Sequence, residues 1–140
     1  MKKIAAIEQE VHVDEKVNFF GDENAENVVV SWGSPKGAIL EAIDKLSSEG
    51  FKVGFLQVRM VHPLPSQYVS NALQTKKVID VEMNYSGQLG GIIKERTGIQ
   101  MDFHVLKYNG RPMTTTEVHD ALKLILTRKA PERQVLNYGS

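Results

Sequence analysis

The residues with the most chemical potential in this sequence are concentrated between positions 82 and 88. Glu82 and Asn84 follow an apolar stretch, and Gly87 and Gln88 come shortly after them. A carboxylate at the end of a buried strand can act as an acid or a base when loss of water raises its pKa. It can equally accept hydrogen bonds from loop backbone or contact a neighbouring domain, and we favour this structural interpretation because buried polar groups are generally hydrogen-bonded.

Two Gly and Ser pairs, Gly33-Ser34 and Ser86-Gly87, precede segments with helical periodicity. Free N–H groups and the helix dipole at such positions can bind an anion, although plain helix capping is the commoner role. Neither pair belongs to a G-x-G-x-x-G or a G-x-x-x-x-G-K-[ST] fingerprint. The candidate residues for an interface or an anion site are Gly33, Ser34, Glu82, Asn84, Gly87 and Gln88.

The sequence contains no complete catalytic or metal-binding set. His62 has no second histidine or carboxylate at a metal-binding spacing, and His12, His104 and His119 are scattered. The absence of cysteine excludes thiolate nucleophiles, cysteine-ligated zinc and a cysteine-bound iron–sulfur cluster within these 140 residues. We therefore predict no catalytic, cofactor-binding or metal-binding residue in this chain.

Composition excludes several classes of partner. Seventeen basic residues balance seventeen acidic residues, so no net charge favours nucleic acid or an anionic membrane surface. No apolar run approaches the roughly 20 residues that span a bilayer, and the first residues do not resemble a signal peptide. We expect a cytoplasmic protein that binds neither nucleic acid nor membrane.

Alternating strands and helices must position the candidate residues. Residues 27–32 form a continuous apolar run, which is typical of a central strand buried on both faces. In the last helix a capping box at Thr114 and Glu117 precedes apolar residues at helical spacing. We predict further strands near 52–58, 77–83 and 102–108, and helices near 35–49, 66–73, 87–97 and 114–126.

This pattern predicts a three-layer α/β/α fold with a mostly parallel sheet of four to five strands. The carboxyl ends of the strands then meet at one edge, where the candidate residues lie. We divide the chain into a linker with a short N-terminal helix (residues 1–26), one domain (residues 27–130) and a C-terminal tail (residues 131–140).

Several segments resemble the alpha subunits of 2-oxoacid:ferredoxin oxidoreductases. These are residues 28–34, the loop from Arg59 to Pro65, and Asn109-Gly110-Arg111-Pro112-Met113. The most specific is residues 82–89, which are similar to the family's Glu-x-Asn-x-x-Gly-Gln-Leu segment. The resemblance covers about residues 27–127 and implies a transketolase C-terminal-like domain.

What the resemblance implies is one part of an enzyme that converts a 2-oxoacid, such as pyruvate, and CoA to acyl-CoA and CO2 while reducing ferredoxin. It places thiamine diphosphate, magnesium and the iron–sulfur cluster elsewhere, and makes the remaining alpha-subunit domains and the beta subunit the partners. Glu82, Asn84 and Gln88 then either satisfy loop backbone or contact a partner domain.

Two alternatives remain open from the residues alone. One is an independent small-molecule-binding α/β module that uses the strand-end edge. The other is the C-terminal domain of a transketolase or of a branched-chain dehydrogenase beta chain, which is not expected to keep the segment from Glu82 to Leu89.

Overall fold

The computed structural model describes residues 17–33, 35–59, 64–84 and 87–136. Within these ranges six strands and four helices alternate along most of the chain. In chain order they are β1 (Val17–Gly21), β2 (Asn27–Trp32), α1 (Lys36–Ser48), β3 (Val53–Val58), α2 (Ser66–Leu73), β4 (Lys77–Glu82), α3 (Gln88–Thr97), β5 (Phe103–Leu106), α4 (Thr115–Leu126) and β6 (Arg133–Val135). The helices and central strands follow the predicted pattern, whereas the predicted N-terminal helix lies outside the described residues.

The six strands form one sheet in the order β1-β3-β2-β4-β5-β6. Strands β2 to β6 are parallel to their neighbours, and only β1 is antiparallel, to β3. Helices α1 and α4 pack on one face, and α2 and α3 pack on the other. The three-layer α/β/α prediction is therefore confirmed.

Strand β2 shows why the sequence buries both faces of the sheet. Val29 belongs to the apolar cluster under α1 and α4, whereas Val28 and Val30 belong to the cluster under α2 and α3. All three are fully buried. Fully burying one such side chain contributes about 1.5–3 kcal/mol, so this strand anchors both cores.

The sheet is wider than the four to five strands expected, because it extends past both predicted domain boundaries. Strand β1 lies in the predicted linker and pairs Phe19 with Leu56 of β3. Strand β6 lies in the predicted tail, and the N–H of the next residue, Leu136, donates to the Leu106 carbonyl at 2.7 Å. Both are short edge strands beside polar residues, and such strands leave a weak local sequence signal.

The predicted ends of the last two helices are also observed. Gly98, with φ of +79°, ends α3 in the left-handed conformation that favours glycine. At the start of α4 the Thr114 side chain accepts from the Glu117 N–H, and the Glu117 side chain accepts from the Thr114 N–H. No helix in the described ranges has the length and apolar character needed to cross a membrane.

Candidate functional site

Glu82 is the last residue of β4, and its carboxylate supports the start of α3. The side chain is fully buried. Its Oε1 accepts the N–H of Leu89 at 2.8 Å and the Asn84 side-chain amide at 2.9 Å, and its Oε2 accepts the N–H of Gly90 at 3.3 Å. This arrangement agrees with the structural interpretation of Glu82, because its oxygens bind groups of the same chain.

Asn84 accepts N–H groups just before and at the start of the same helix, whose N-cap residue is Gly87. Its Oδ1 accepts the N–H of Gly87 at 2.8 Å and, more weakly, that of Gln88 at 3.4 Å. The N–H groups of residues 87–90 thus all have acceptors on Glu82 or Asn84. An anion at this end of α3 would have to displace them, so the capping interpretation explains this loop better than the anion-binding one.

A second buried carboxyl group, Asp80, lies on the same sheet face as Glu82, two residues earlier in β4. Burial, together with the hydrogen bond to Glu82 and the charge of Glu82, raises the pKa of Asp80 to about 10. Burial alone would raise the pKa of Glu82 too, but hydrogen bonds from Asp80, Leu89, Asn84 and Gly90 outweigh it and lower that pKa. At neutral pH Asp80 is therefore protonated and Glu82 is the anion, and Oδ1 of Asp80 has no hydrogen-bond partner among the described residues.

His104 of β5 completes this buried network. Its Nδ1 lies 3.1 Å from Oδ2 of Asp80. This spacing would make an ion pair if the ring were protonated, but burial and then the charge of Arg133 lower the His104 pKa. Because Asp80 is protonated as well, we assign a hydrogen bond between neutral groups.

Glycines let α3 approach these groups. A Cβ at Gly90 would lie 2.8 Å from Asp80 Oδ2 and 2.7 Å from Met101 Cγ, so a side chain there would force these groups to move. A Cβ at Gly87 would lie 3.2 Å from Asp80 Oδ2, and Gly87 has φ of +63°. Asp80 was not predicted as a site residue. Its sequence signal was the alternation of Asp80 with Glu82 in β4, followed by Gly87 and Gly90 three residues apart.

The other candidate residues lie around a crevice of about 640 Å³ at the strand-end edge. Gly33, Asn84 and Gln88 line it, whereas Glu82 and Gly87 are buried beside it. Ser34 and His62 lie outside the described residues. Within the described ranges no group of three His, Cys, Asp or Glu side chains is arranged to hold a metal ion.

Comparison with known proteins decides the family. The family model described as pyruvate:ferredoxin oxidoreductase core domain II matches residues 25–118. The alpha subunit of the 2-oxoacid:ferredoxin oxidoreductase from Saccharolobus solfataricus is 39% identical over 141 aligned residues, covering 100% of this chain and 22% of that protein. This chain belongs to the 2-oxoacid:ferredoxin oxidoreductase family. It spans about a fifth of the length of the curated alpha subunits that it matches.

Solved structures agree with this family and with its fold. The alpha chain of a probable 2-oxoacid ferredoxin oxidoreductase from Thermoplasma acidophilum is 42% identical, with a TM-score of 0.58, and the match covers 81% of this chain and 98% of that one. A split-gene transketolase matches with a TM-score of 0.62 at 19% identity, covering 82% of this chain and 42% of that one. The second likeness shows the fold alone, so the transketolase-like fold is confirmed while the identity favours the oxidoreductase family over transketolase.

Family membership gives the segment from Glu82 to Leu89 a structural meaning. In this domain Glu82 and Asn84 accept N–H groups at the start of α3, and Leu89 of that helix is buried. The Gly provides the left-handed residue before the helix. Gln88 is the exposed residue of the set.

Proposed function

We propose that this chain is a non-catalytic structural and interface domain of a thiamine-diphosphate-dependent 2-oxoacid:ferredoxin oxidoreductase. The observation that carries the proposal is that the whole chain aligns with 22% of an alpha subunit. The internal use of Glu82 and Asn84 supports the non-catalytic part, because the acidic group in the family segment is already bonded to α3. The whole enzyme would convert a 2-oxoacid, CoA and oxidised ferredoxin to acyl-CoA, CO2 and reduced ferredoxin.

We propose that the cofactors of that reaction bind outside this chain. In the part of the chain that the structure describes, no group of three His, Cys, Asp or Glu side chains is arranged to hold a metal ion. The chain has no cysteine with which to hold an iron–sulfur cluster. We place these groups in the remaining alpha-subunit domains, the beta subunit or other subunits of a cytoplasmic enzyme, through which ferredoxin is also reached.

The strand-end edge is the proposed contact surface. Gln88 is exposed there, beside the partly buried Trp32, and both line the crevice. Interfaces are enriched in aromatic residues and carry amide groups that hydrogen-bond across the contact. Since the carboxylate of Glu82 is turned inward, Gln88 is a sharper probe of the interface than Glu82.

Co-expression with the missing parts tests the proposal. The chain should co-purify with the remaining alpha-subunit domains and the beta subunit, and 2-oxoacid-dependent, CoA-dependent reduction of ferredoxin should require it. Gln88→Ala should weaken association while changing the stability of the isolated chain by less than about 0.5 kcal/mol. Gln100→Ala is the matched control, because Gln100 is exposed before β5 at the opposite edge of the sheet.

Two results would count against this role. One is full activity of the remaining parts without this chain. The other is equal loss of association in Gln88→Ala and Gln100→Ala, which would place the contact surface away from the strand-end edge.

A further inference from the structure

The crevice lies where the strand order of the sheet reverses. From β2 the chain passes through α1 to β3 on one side, and from β3 it passes through α2 to β4 on the other side of β2. The loops after β2, β3 and β4 all contribute to the crevice. In open α/β sheets this reversal beyond the carboxyl ends of the strands is where ligands bind, and the volume of about 640 Å³ suits a small molecule.

Gln57 of β3 is a buried amide that faces this crevice without a hydrogen-bond partner on its carbonyl. The residue is only 8% exposed, and its Oε1 has no partner in the described part of the chain. The adjacent residue in β2, Ser31, does not satisfy it, because the Ser31 hydroxyl donates to the Val81 carbonyl. A buried acceptor without a donor is unfavourable, and an N–H or O–H group in the crevice would relieve it.

Two positively polarised groups, the start of α1 and Arg59, lie at the same crevice. Gly33 and Pro35 line the crevice directly before α1, and α1 has neither a side-chain cap nor an acidic residue in its first turn among the described residues. Its first N–H groups and its dipole therefore favour an anion. Arg59, exposed after β3, adds a cation, and no Asp or Glu is among the described residues that line the crevice.

We infer that this crevice binds a small anionic ligand that also carries a hydrogen-bond donor. Its carboxylate or phosphate would lie between the start of α1 and Arg59, and a hydroxyl or N–H group would donate to Oε1 of Gln57. Trp32 and Val58 supply an apolar wall. The crevice belongs to the same edge that we propose as a contact surface, but ligand binding needs no partner, because every group named lies on this chain.

Nuclear magnetic resonance titration of the full 140-residue chain tests the inference. Glycerol 3-phosphate and malate serve as separate probes at low salt, since each combines an anionic group with a hydroxyl. One of them should produce saturable shifts at the backbone amides of Gly37 and Ala38 and at the Gln57 side-chain amide. The probe that saturates identifies phosphate or carboxylate as the recognised group.

Variants make the test specific. Arg59→Ala and Gln57→Leu should each weaken binding roughly tenfold, because each removes one direct contact. Arg96→Ala, an exposed arginine in the last turn of α3, is the matched control and should bind normally. Saturation that Arg59→Ala does not weaken would overturn the inference.

Failure of both probes to saturate would also overturn it. If Gln57→Leu then still weakened association with the missing subunits, the crevice would be assigned to a protein side chain instead. Because the titration uses the chain alone, its result is separate from the outcome of the co-expression experiment.

Discussion

Replacing Lys107 with methionine should strongly destabilise the domain, because this lysine neutralises a buried carboxylate. Lys107 and Glu117 are each only 2% exposed. Lys107 Nζ lies 2.8 and 3.0 Å from the two Glu117 oxygens, and it also donates to the Pro112 carbonyl at 3.1 Å. Methionine fills a similar volume but leaves the Glu117 carboxylate bonded only within the Thr114 capping box.

The expected cost is about 3–5 kcal/mol, the usual effect of removing one partner from a buried pair. For a chain of this size each kcal/mol lowers the melting temperature by about 3 °C, so a fall of about 10–15 °C is expected. Lys123→Met is the matched control. Lys123 pairs with Glu49 at 2.9 Å but is 45% exposed, so its loss should cost far less.

The pH dependence separates charge burial from lost packing. Burial raises the pKa of Glu117, but the hydrogen bonds from Lys107 and Thr114 outweigh it and lower the pKa. In the wild type this stabilisation is present above the unfolded pKa and is lost as pH falls through the folded pKa. In Lys107→Met burial instead raises the Glu117 pKa, so protonation in acid should relieve the defect.

Urea unfolding followed by circular dichroism at pH 7 and pH 4.5 measures these differences. The difference in the free energy of unfolding between Lys107→Met and the wild type should be smaller at pH 4.5 than at pH 7. Adding Glu117→Gln, which keeps a residue suited to the capping box, should restore more than half of the loss at pH 7. A cost at pH 7 no larger than that of Lys123→Met, or a pH-independent cost, would refute the reasoning.

Four further outcomes are expected of the isolated chain. The raised pKa of Asp80 makes the wild type lose stability as pH rises above the unfolded pKa of this group. In denaturant titrations the free energy of unfolding of Asp80→Asn should therefore increase relative to that of the wild type from pH 5 to pH 9. Hydrogen bonds to Asp120 and Glu49 raise the pKa of His119, so proton resonance titrations should give a value above 6.5. The stability that these bonds contribute should be fully present below pH 6.5 and be lost as pH rises through the folded-state pKa of His119. Asn84→Ala should cost about 1 kcal/mol in thermal unfolding through loss of the hydrogen bond to the Gly87 N–H, more than a purely interfacial role would cost. Calorimetry should detect no micromolar binding of thiamine diphosphate, and a saturating heat signal would contradict the placement of that cofactor in other domains.

The elements predicted most accurately were those with strong local signals. Helix α4 has both a capping box and a full apolar stripe, and β2 is a continuous apolar run. Strands β1 and β6 were missed because pairing with β3 and β5 creates them, and their own residues are mixed in character. Their existence depends on a neighbouring edge that local sequence does not encode.

The candidate site was also predicted only in part, because some of its contacts join residues that are far apart in sequence. The capping roles of Glu82 and Asn84 follow from residues close in sequence. The partnership of Asp80 with His104 spans 24 residues, and that of Lys107 with Glu117 spans ten residues across a turn. Such pairs become visible only once the sheet fixes which side chains share a face.

The buried network explains why a chemically suggestive segment need not be catalytic. A general acid or base must reach the proton of its substrate, yet Asp80 and Glu82 are both fully buried. At neutral pH Asp80 holds a proton, and the ionised Glu82 accepts the N–H groups of Leu89 and Gly90. The segment from Glu82 to Leu89 therefore fixes the height of α3 over the sheet, and with it the exposed Gln88 at the edge where we propose that the rest of the enzyme docks.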